Sequence, residues 1–323
     1  MHFLRLIRPI NLLVIALTMY GMRIYFIPMI PLNDESLNSE PVDFFLLVFS
    51  TVLIAAAGNI INDYFDVKAD RINKPEKLII GQHIKKRWAI VSHWTFNFLA
   101  FSIACYLSWR YKTFWYLFIH LLSINLLWFY SMYFKRRFLI GNVIIAGLTA
   151  LVPILCGIHF LEFIQSQHDY LPRNWSIDSP LHTGWAFGSY FNTFVVLVFA
   201  FYAGLLNLAR EIIKDIEDVE GDLLIRAKTL PIVLGKRKTK LIAMTLLILV
   251  LLTSIPFLLD GYFIYRMKFL QAFAPVFLIP VGIIGVIILL AQKEEVKNLK
   301  RADLLIKPLM VVGCCMPFYW YFL

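Results

Sequence analysis

The sequence predicts an all-α membrane protein, about nine transmembrane helices around a central cavity. Three observations carry that expectation. The 323-residue chain is 60% hydrophobic and only 16% charged, whereas soluble domains carry about 25% charged residues. Apolar runs of spanning length, about 20 residues, can be drawn nine times. The polar gaps between them are too short to fold a second core. We therefore expect a single intramembrane domain over residues 1–323, with no separate soluble domain.

The expected spans are roughly 10–30, 43–62, 88–108, 113–134, 139–160, 186–209, 239–259, 268–291 and 303–322. The opening run "MHFLRLIRPINLLVIALTMYG" is too long for the apolar part of a signal peptide and lacks a small-residue cleavage site, so it reads as the first span. Placing the N-terminus in the cytoplasm puts most of the 31 Lys and Arg residues on the inner side, as the positive-inside rule requires. The protein is expected to be an integral, multi-pass membrane protein, in the inner membrane if the source is a bacterium. The net charge of +10 is then a product of topology and calls for no nucleic-acid partner. No obligate protein partner is evident; the bilayer itself is the surrounding partner. Cys105, Cys156, Cys314 and Cys315 all lie in expected spans without ligand spacing, and read as packing residues. The scattered histidines, among them His83, His93, His159 and His168, form no cluster with carboxylates and read as structural. The outer segment 161–184 reads as turns anchored at the interface by Trp175.

Against this background the acidic residues stand out. Ten of the 21 fall in two short clusters, both on the expected cytoplasmic side. Asp63, Asp66 and Asp70 have the same spacing as Asp215, Asp218 and Asp222. Each set has a polar residue four positions ahead, Asn59 or Glu211, and a base four positions behind, Lys74 or Arg226. On a continuous helix such spacing places the carboxylates in a stripe about 60° wide. Like charges so placed destabilise a helix, and the negative end of the macrodipole makes this worse. A divalent cation offsets both, and hard carboxylate oxygens suit Mg²⁺. A single cluster would read as a wet acidic loop. Two matched clusters at matched ends of the second and sixth spans favour a functional site.

Mg²⁺ usually binds through one or two carboxylates plus substrate phosphates. Two carboxylate columns facing one cavity would hold a diphosphate. Lys74, Lys77, Lys135, Arg210, Lys214, Arg226 and Lys228 would neutralise its remaining charge. The apolar interior would house a hydrocarbon tail, so the expected ligand is a diphosphate bearing a lipid chain.

At these residues the chain resembles the UbiA superfamily of intramembrane prenyltransferases. Asn62-Asp63-Tyr64-Phe65-Asp66-Val67-Lys68-Ala69-Asp70 matches its first signature, and Asp215 to Asp222, followed by "KTLPIVLG", matches its second. "YSMYFKRR" from Tyr130 and the pair Arg8-Pro9 match further elements. The resemblance implies a Mg²⁺-dependent prenyl diphosphate donor, a lipophilic acceptor, and an allylic cation character as pyrophosphate departs. It implies that Asp63, Asp66, Asp70, Asp215, Asp218 and Asp222 hold the metal, with Asp63, Asp66, Asp215 and Asp218 essential to catalysis. Asn59, Asn62, Lys74, Tyr130, Lys135, Arg210, Lys214 and Lys228 would contact substrates. Tyr64, Phe65, Tyr130 and Phe134 are candidates for stabilising the cation by cation–π attraction.

Within the superfamily, "AREIIKDIEDVEGD" and "NDYFDVKADRINKPEK" are most similar to the digeranylgeranylglyceryl phosphate synthase branch, which implies a geranylgeranyl donor and geranylgeranylglyceryl phosphate as acceptor. "KPEKLIIGQHI" from Lys74 departs from that branch, where "RPDRPIPSGRI" is usual. An aromatic acceptor, as in quinone biosynthesis, is therefore the alternative. From a different class, a transporter would place its coupling acids near the bilayer midplane, whereas these sit at its edge. A terpene cyclase would share the aspartates and differ in product. Gly221 is expected to let the second motif's helix end or bend. Donor chain length and oligomeric state are not encoded legibly.

Overall fold

The structure is a computed structural model that describes residues 2–26, 34–73, 78–166, 180–224, 226–264, 269–292 and 296–321. Lys74, Pro75, Lys77, His168 and Trp175 lie outside the described residues. Twelve helices follow one another: α1 (His2–Ile7), α2 (Pro9–Phe26), α3 (Asp34–Asn73), α4 (Lys86–Arg110), α5 (Trp115–Met132), α6 (Ile140–Ser166), α7 (Pro180–Glu217), α8 (Val219–Leu224), α9 (Leu230–Leu234), α10 (Lys236–Ile264), α11 (Phe269–Ala291) and α12 (Val296–Tyr321). A 3-10 turn over Phe134–Arg136 joins α5 to α6. Among the described residues there is no strand, only one isolated bridge between Ile80 and Ile84.

The first seven expected spans correspond to helices long and apolar enough to cross a membrane: Pro9–Phe26, Ser39–Val67, Lys86–Arg110, Trp115–Met132, Ile140–Ile164, Thr193–Glu217 and Lys236–Ile255. The eighth is represented by a shorter apolar stretch, Phe277–Ala291. The ninth falls on α12, whose first half carries Lys297, Lys300, Arg301, Asp303 and Lys307. Among the described residues seven spans are thus clear, and the long helices α11 and α12 stand at the places of the eighth and ninth.

Apolar contacts hold the bundle together in two halves. Met19, Met22, Phe44, Leu47, Tyr116 and Phe163 pack between α2, α3, α5 and α6. Ile212, Leu247, Val286 and Ile306 pack α7 against α10, α11 and α12. The outward faces also expose large apolar groups, such as Phe98 and Trp109, as expected where the surroundings are hydrocarbon. Lipid provides no hydrophobic drive for helices to associate, so close approach matters. A Cβ at Gly58 would come within 2.9 Å of Leu127, and its absence lets α3 lie directly on α5.

The histidines behave as expected. His93 meets the Ala57 carbonyl and Asn97, His120 meets Ser50 and the Tyr116 carbonyl, and His159 meets the Tyr116 hydroxyl. All three are buried. The four cysteines are free.

Two breaks position the functional end. Arg8 has a left-handed backbone, φ 55°, between α1 and α2. Pro9 then opens α2, where its missing N–H is no loss. The second break lies in the second acidic motif. The expected continuous column does not form: α7 stops at Glu217 and α8 restarts at Val219. The break is at Asp218, three residues ahead of Gly221, which sits buried inside α8. Crowded acids at the negative end of a helix dipole explain why the helix gives way there. Hydrogen bonds from Asp218 N–H to the Lys214 carbonyl and from Asp222 N–H to the Asp218 carbonyl still carry the chain across.

Candidate functional site

The first motif does lie on one unbroken helix. Asn62, Asp63 and Asp66 occupy the end of α3 distant from its start, with Asp70 one turn further on; the Asp70 side chain lies outside the described set. Arg8 Nη2 donates to Asp63 Oδ1 at 2.6 Å. Asn62 Nδ2 donates to Asp66 Oδ2 at 3.0 Å. Lys135 Nζ reaches both residues, donating to Asn62 Oδ1 at 3.2 Å and to Asp66 Oδ2. Asn59 points elsewhere: its amide donates to the Ile7 carbonyl at 2.9 Å and ties α1 to α3.

Lys135 is held by local sequence. Leu139 takes a left-handed backbone, φ 56°, and the chain folds back so closely that a Cβ on Gly141 would lie 2.9 Å from the Phe134 carbonyl and 3.1 Å from Lys135 Cα. Glycine is needed at that contact. The next residue, Asn142, donates to Asp215 Oδ2 at 2.8 Å. One short connection thus serves both motifs, Lys135 on the first and Asn142 on the second.

The two motifs converge. The Asp222 carboxyl has Asp218, Lys135 and Asp66 among the charges acting on it, with Thr229 alongside. Burial pushes its pKa above the usual carboxylate range; Thr229 and Lys135 oppose that shift, and Asp218 and Asp66 add to it. Tyr130, half-buried on α5, has Glu211, Asp215, Asp66 and Arg8 among the charges acting on it. The main chain closes the same end: Lys228 N–H donates to the Arg136 carbonyl at 2.9 Å, while the Lys228 side chain is exposed.

The remaining expected residues are distributed less tightly. Arg210 Nη1 donates to Glu211 Oε1 at 3.0 Å, and Lys214 lies 3.8 Å from Glu211 Oε2. Phe65 packs edge-on against Trp128, and Lys86 lies over the Tyr64 ring. Phe134 packs edge-on against Tyr133. Of the four aromatic candidates, Tyr130 is the one set among acids of both motifs. Two contributors went unassigned at the sequence level. Asn142 was signalled by a lone amide opening an apolar helix, "GNVIIAG". Asp303, a carboxylate within α12, lies 3.1 Å from Arg210 Nε.

Among the described residues no three His, Cys, Asp or Glu side chains form a ready-made metal cage. That is compatible with Mg²⁺, which takes one or two carboxylates and completes its shell with water and phosphate oxygens. The donor set is all oxygen, and Lys135 already occupies a cation position between Asn62 and Asp66. The residues present fit the ion.

Comparison with known proteins identifies the family and the fold. The chain is 28% identical to digeranylgeranylglyceryl phosphate synthase of Methanothermobacter thermautotrophicus over 319 residues, covering 98% of this chain and 93% of that one. It shares its fold with a solved structure from work on digeranylgeranylglyceryl phosphate synthase in membranes, with a TM-score of 0.63, 22% identity, and 99% and 96% of the two chains covered. A UbiA homologue from Archaeoglobus fulgidus solved with DMAPP and Mg²⁺ has the same fold, with a TM-score of 0.54, 15% identity, and 98% and 99% covered. Residues 34–307 match the UbiA prenyltransferase family, and that stretch holds every acid of the two motifs, so the chain belongs to the UbiA prenyltransferase family.

Proposed function

We propose that the protein transfers a prenyl group, geranylgeranyl in the first instance, from its diphosphate to the free hydroxyl of geranylgeranylglyceryl phosphate, with Mg²⁺ as cofactor. One observation carries the reading: acids from two distant motifs, on α3 and on α7–α8, share the neighbourhood of Tyr130 and Lys135. Family membership supplies the reaction class. The acceptor rests on similarity to a relative named for that synthesis. We further propose that the whole chain acts as one domain, with the motif end facing the cytoplasm.

When bound, Mg²⁺ would be held by carboxylates of both motifs, Asp63, Asp66 and Asp70 on one side and Asp215, Asp218 and Asp222 on the other, and would supply positive charge to the leaving diphosphate. The protein's own groups do the rest. Asn62 and Asn142 fix the orientation of the Asp66 and Asp215 carboxylates. Arg8 and Lys135 neutralise Asp63 and Asp66 in the free protein and turn to diphosphate oxygens when the donor arrives. Lys74, Lys214 and Lys228 would complete the basic surround. Tyr130 presents its ring where positive charge develops on the allylic carbon. The carbon–oxygen bond to diphosphate breaks, a new ether bond forms to the acceptor oxygen, and the hydroxyl proton leaves to solvent. The seven spans furnish hydrocarbon surroundings for both lipid tails.

Purified protein given Mg²⁺, labelled geranylgeranyl diphosphate, geranylgeranylglyceryl phosphate and a hydroxylated aromatic acid in competition should yield a diether phosphate by mass spectrometry. A prenylated aromatic would move the protein to quinone-type prenylation. A cyclised hydrocarbon with no acceptor incorporated would make it a cyclase.

A further inference from the structure

Two arginine–carboxylate pairs in this protein are built in opposite ways. Arg23 grips Glu40 with both faces matched: Nε donates to the two carboxylate oxygens at 3.0 and 3.1 Å, and Nη2 adds a third bond. Arg210 Nε comes equally close to Asp303 Oδ1, 3.1 Å, yet the two atoms make no hydrogen bond. Both atoms are buried, and neither has a hydrogen-bond partner among the described residues. The guanidinium fork and the carboxylate are in contact but misaligned. A pair meant only to pin α7 to α12 would be aligned, because an unsatisfied buried donor costs free energy.

The surroundings show what the misaligned pair is suited to receive. Lys307, one turn along α12, donates to Asp303 Oδ2 and is half exposed. Arg210 also holds Glu211, which adjoins Lys214 and whose charge acts on Tyr130. Arg210, Lys214 and Lys307 are thus gathered around Glu211 and Asp303, with Asp215 acting on the same charges. Arg210 stands five residues before Asp215, about 7.5 Å along the helix axis on the bilayer side. On the prenyl-transfer reading, the donor's reacting carbon, joined to its lipid tail, would also lie on the bilayer side of its diphosphate. An acceptor hydroxyl attacking that carbon brings its own phosphate to the same level.

We propose that Arg210 and Lys307, held ready by Asp303, form the subsite for the phosphate of the acceptor, separate from the diphosphate site of the two acidic motifs. The subsite rests on the prenyl-transfer reading above. Asp303 keeps the two bases together in the free protein and yields them to a phosphomonoester, whose oxygens satisfy the Arg210 Nε–H.

The test compares Lys307→Ala and Asp303→Asn with the unaltered protein, on geranylgeranylglyceryl phosphate and on the same ether lacking phosphate. Two readouts are taken: steady-state KM for donor and acceptor, and equilibrium binding of labelled acceptor to Mg²⁺-free protein, where no transfer occurs. Lys307→Ala is expected to raise the KM and Kd for the phosphorylated acceptor about tenfold, to move donor KM less than twofold, and to leave use of the dephosphorylated ether unchanged. Asp303→Asn is expected to change acceptor KM while donor KM stays put. A lowered Tm with both KM values unchanged would make the cluster a helix clamp and overturn the subsite. A Lys307→Ala effect equal for both acceptors and present only in phosphatidylglycerol vesicles would make it a membrane-lipid contact, also overturning it. If the unaltered protein neither binds nor uses the phosphorylated acceptor, the proposed function itself fails and the subsite with it. If that protein does both and the variants match it, the subsite alone fails.

Discussion

Helix α3 carries buried acids at both ends, and the two ends solve the same problem differently. Asp43 and Asp63 are twenty residues apart, about 30 Å along the axis, close to the thickness of a bilayer's hydrocarbon core. At the first end the two described carboxylates, Glu40 and Asp43, have fixed partners. Glu40 is held by Arg23, and Asp43 accepts from the Tyr106 and Tyr111 hydroxyls at 3.1 and 2.9 Å with Arg110 at 3.6 Å. Both acids expose only 3% of their side chains. At the other end Asp63 has one partly exposed base and Asp66 shares one lysine with Asn62, while Asp215 of the second motif, on α7, accepts from the Asn142 amide. On the proposed reading, the contrast separates an acid kept for structure from an acid kept for a ligand. The first is saturated by partners that cannot leave; the second is under-neutralised and held by groups that can turn away.

The largest expected effects come from removing acids at each end. Asp66→Ala or Asp215→Ala should lower kcat by about 100- to 1,000-fold, the range for losing a group that stabilises transition-state charge, with Tm nearly unchanged. Glu40→Ala should do the reverse. It strands a half-buried arginine, costs up to about 3 kcal/mol of stability, and leaves whatever stays folded active. Measuring kcat and detergent-solubilised Tm on the same preparations checks both. Equal loss of activity at the two ends in folded protein would erase the distinction.

Ligand-linked stability comes next. Mg²⁺ with a non-reactive donor analogue at about 100 times Kd should stabilise the protein by about 2.7 kcal/mol, seen as a rise in Tm. Glu40→Gln should keep the shift from its lower baseline, and Asp66→Asn with Asp215→Asn should abolish it. A shift surviving the latter pair would place the metal elsewhere.

Smaller effects should follow from the connection that serves both motifs. Lys135→Ala should raise donor KM about tenfold, a loss of about 1.4 kcal/mol in binding. Gly141→Ala should approach that effect without removing any polar group, because its Cβ displaces the Lys135 turn. Asn142→Ala should cost about fivefold in kcat, equivalent to one neutral hydrogen bond of about 1 kcal/mol. If Gly141→Ala leaves donor KM untouched, the turn does not position Lys135.

Sequence and structure agree on the features set by pattern. The first seven spans follow from apolar run length, and the first motif's placement from helical spacing on α3. The pairing of Lys135 with Asp66 across 69 residues is a tertiary fact; the sequence offered only a basic cluster after a tyrosine–serine pair. The break at Asp218 was masked because the spacing fits a continuous helix, while the crowding of acids that ends it depends on how the chain is held. Asn59 looked like a matched site residue by position, yet its amide serves the Ile7 carbonyl. Asp303 and Asn142 were hidden for the opposite reason: each is a lone polar residue whose partner is distant in sequence.

The measurement that tests the central claim most directly is equilibrium binding of labelled geranylgeranyl diphosphate with and without Mg²⁺, on unaltered protein, Asp66→Asn and Asp43→Asn. Binding should require Mg²⁺, vanish in Asp66→Asn and persist in Asp43→Asn. Donor binding that ignores Mg²⁺, or that survives in Asp66→Asn and fails in folded Asp43→Asn, would contradict the assignment of the two ends.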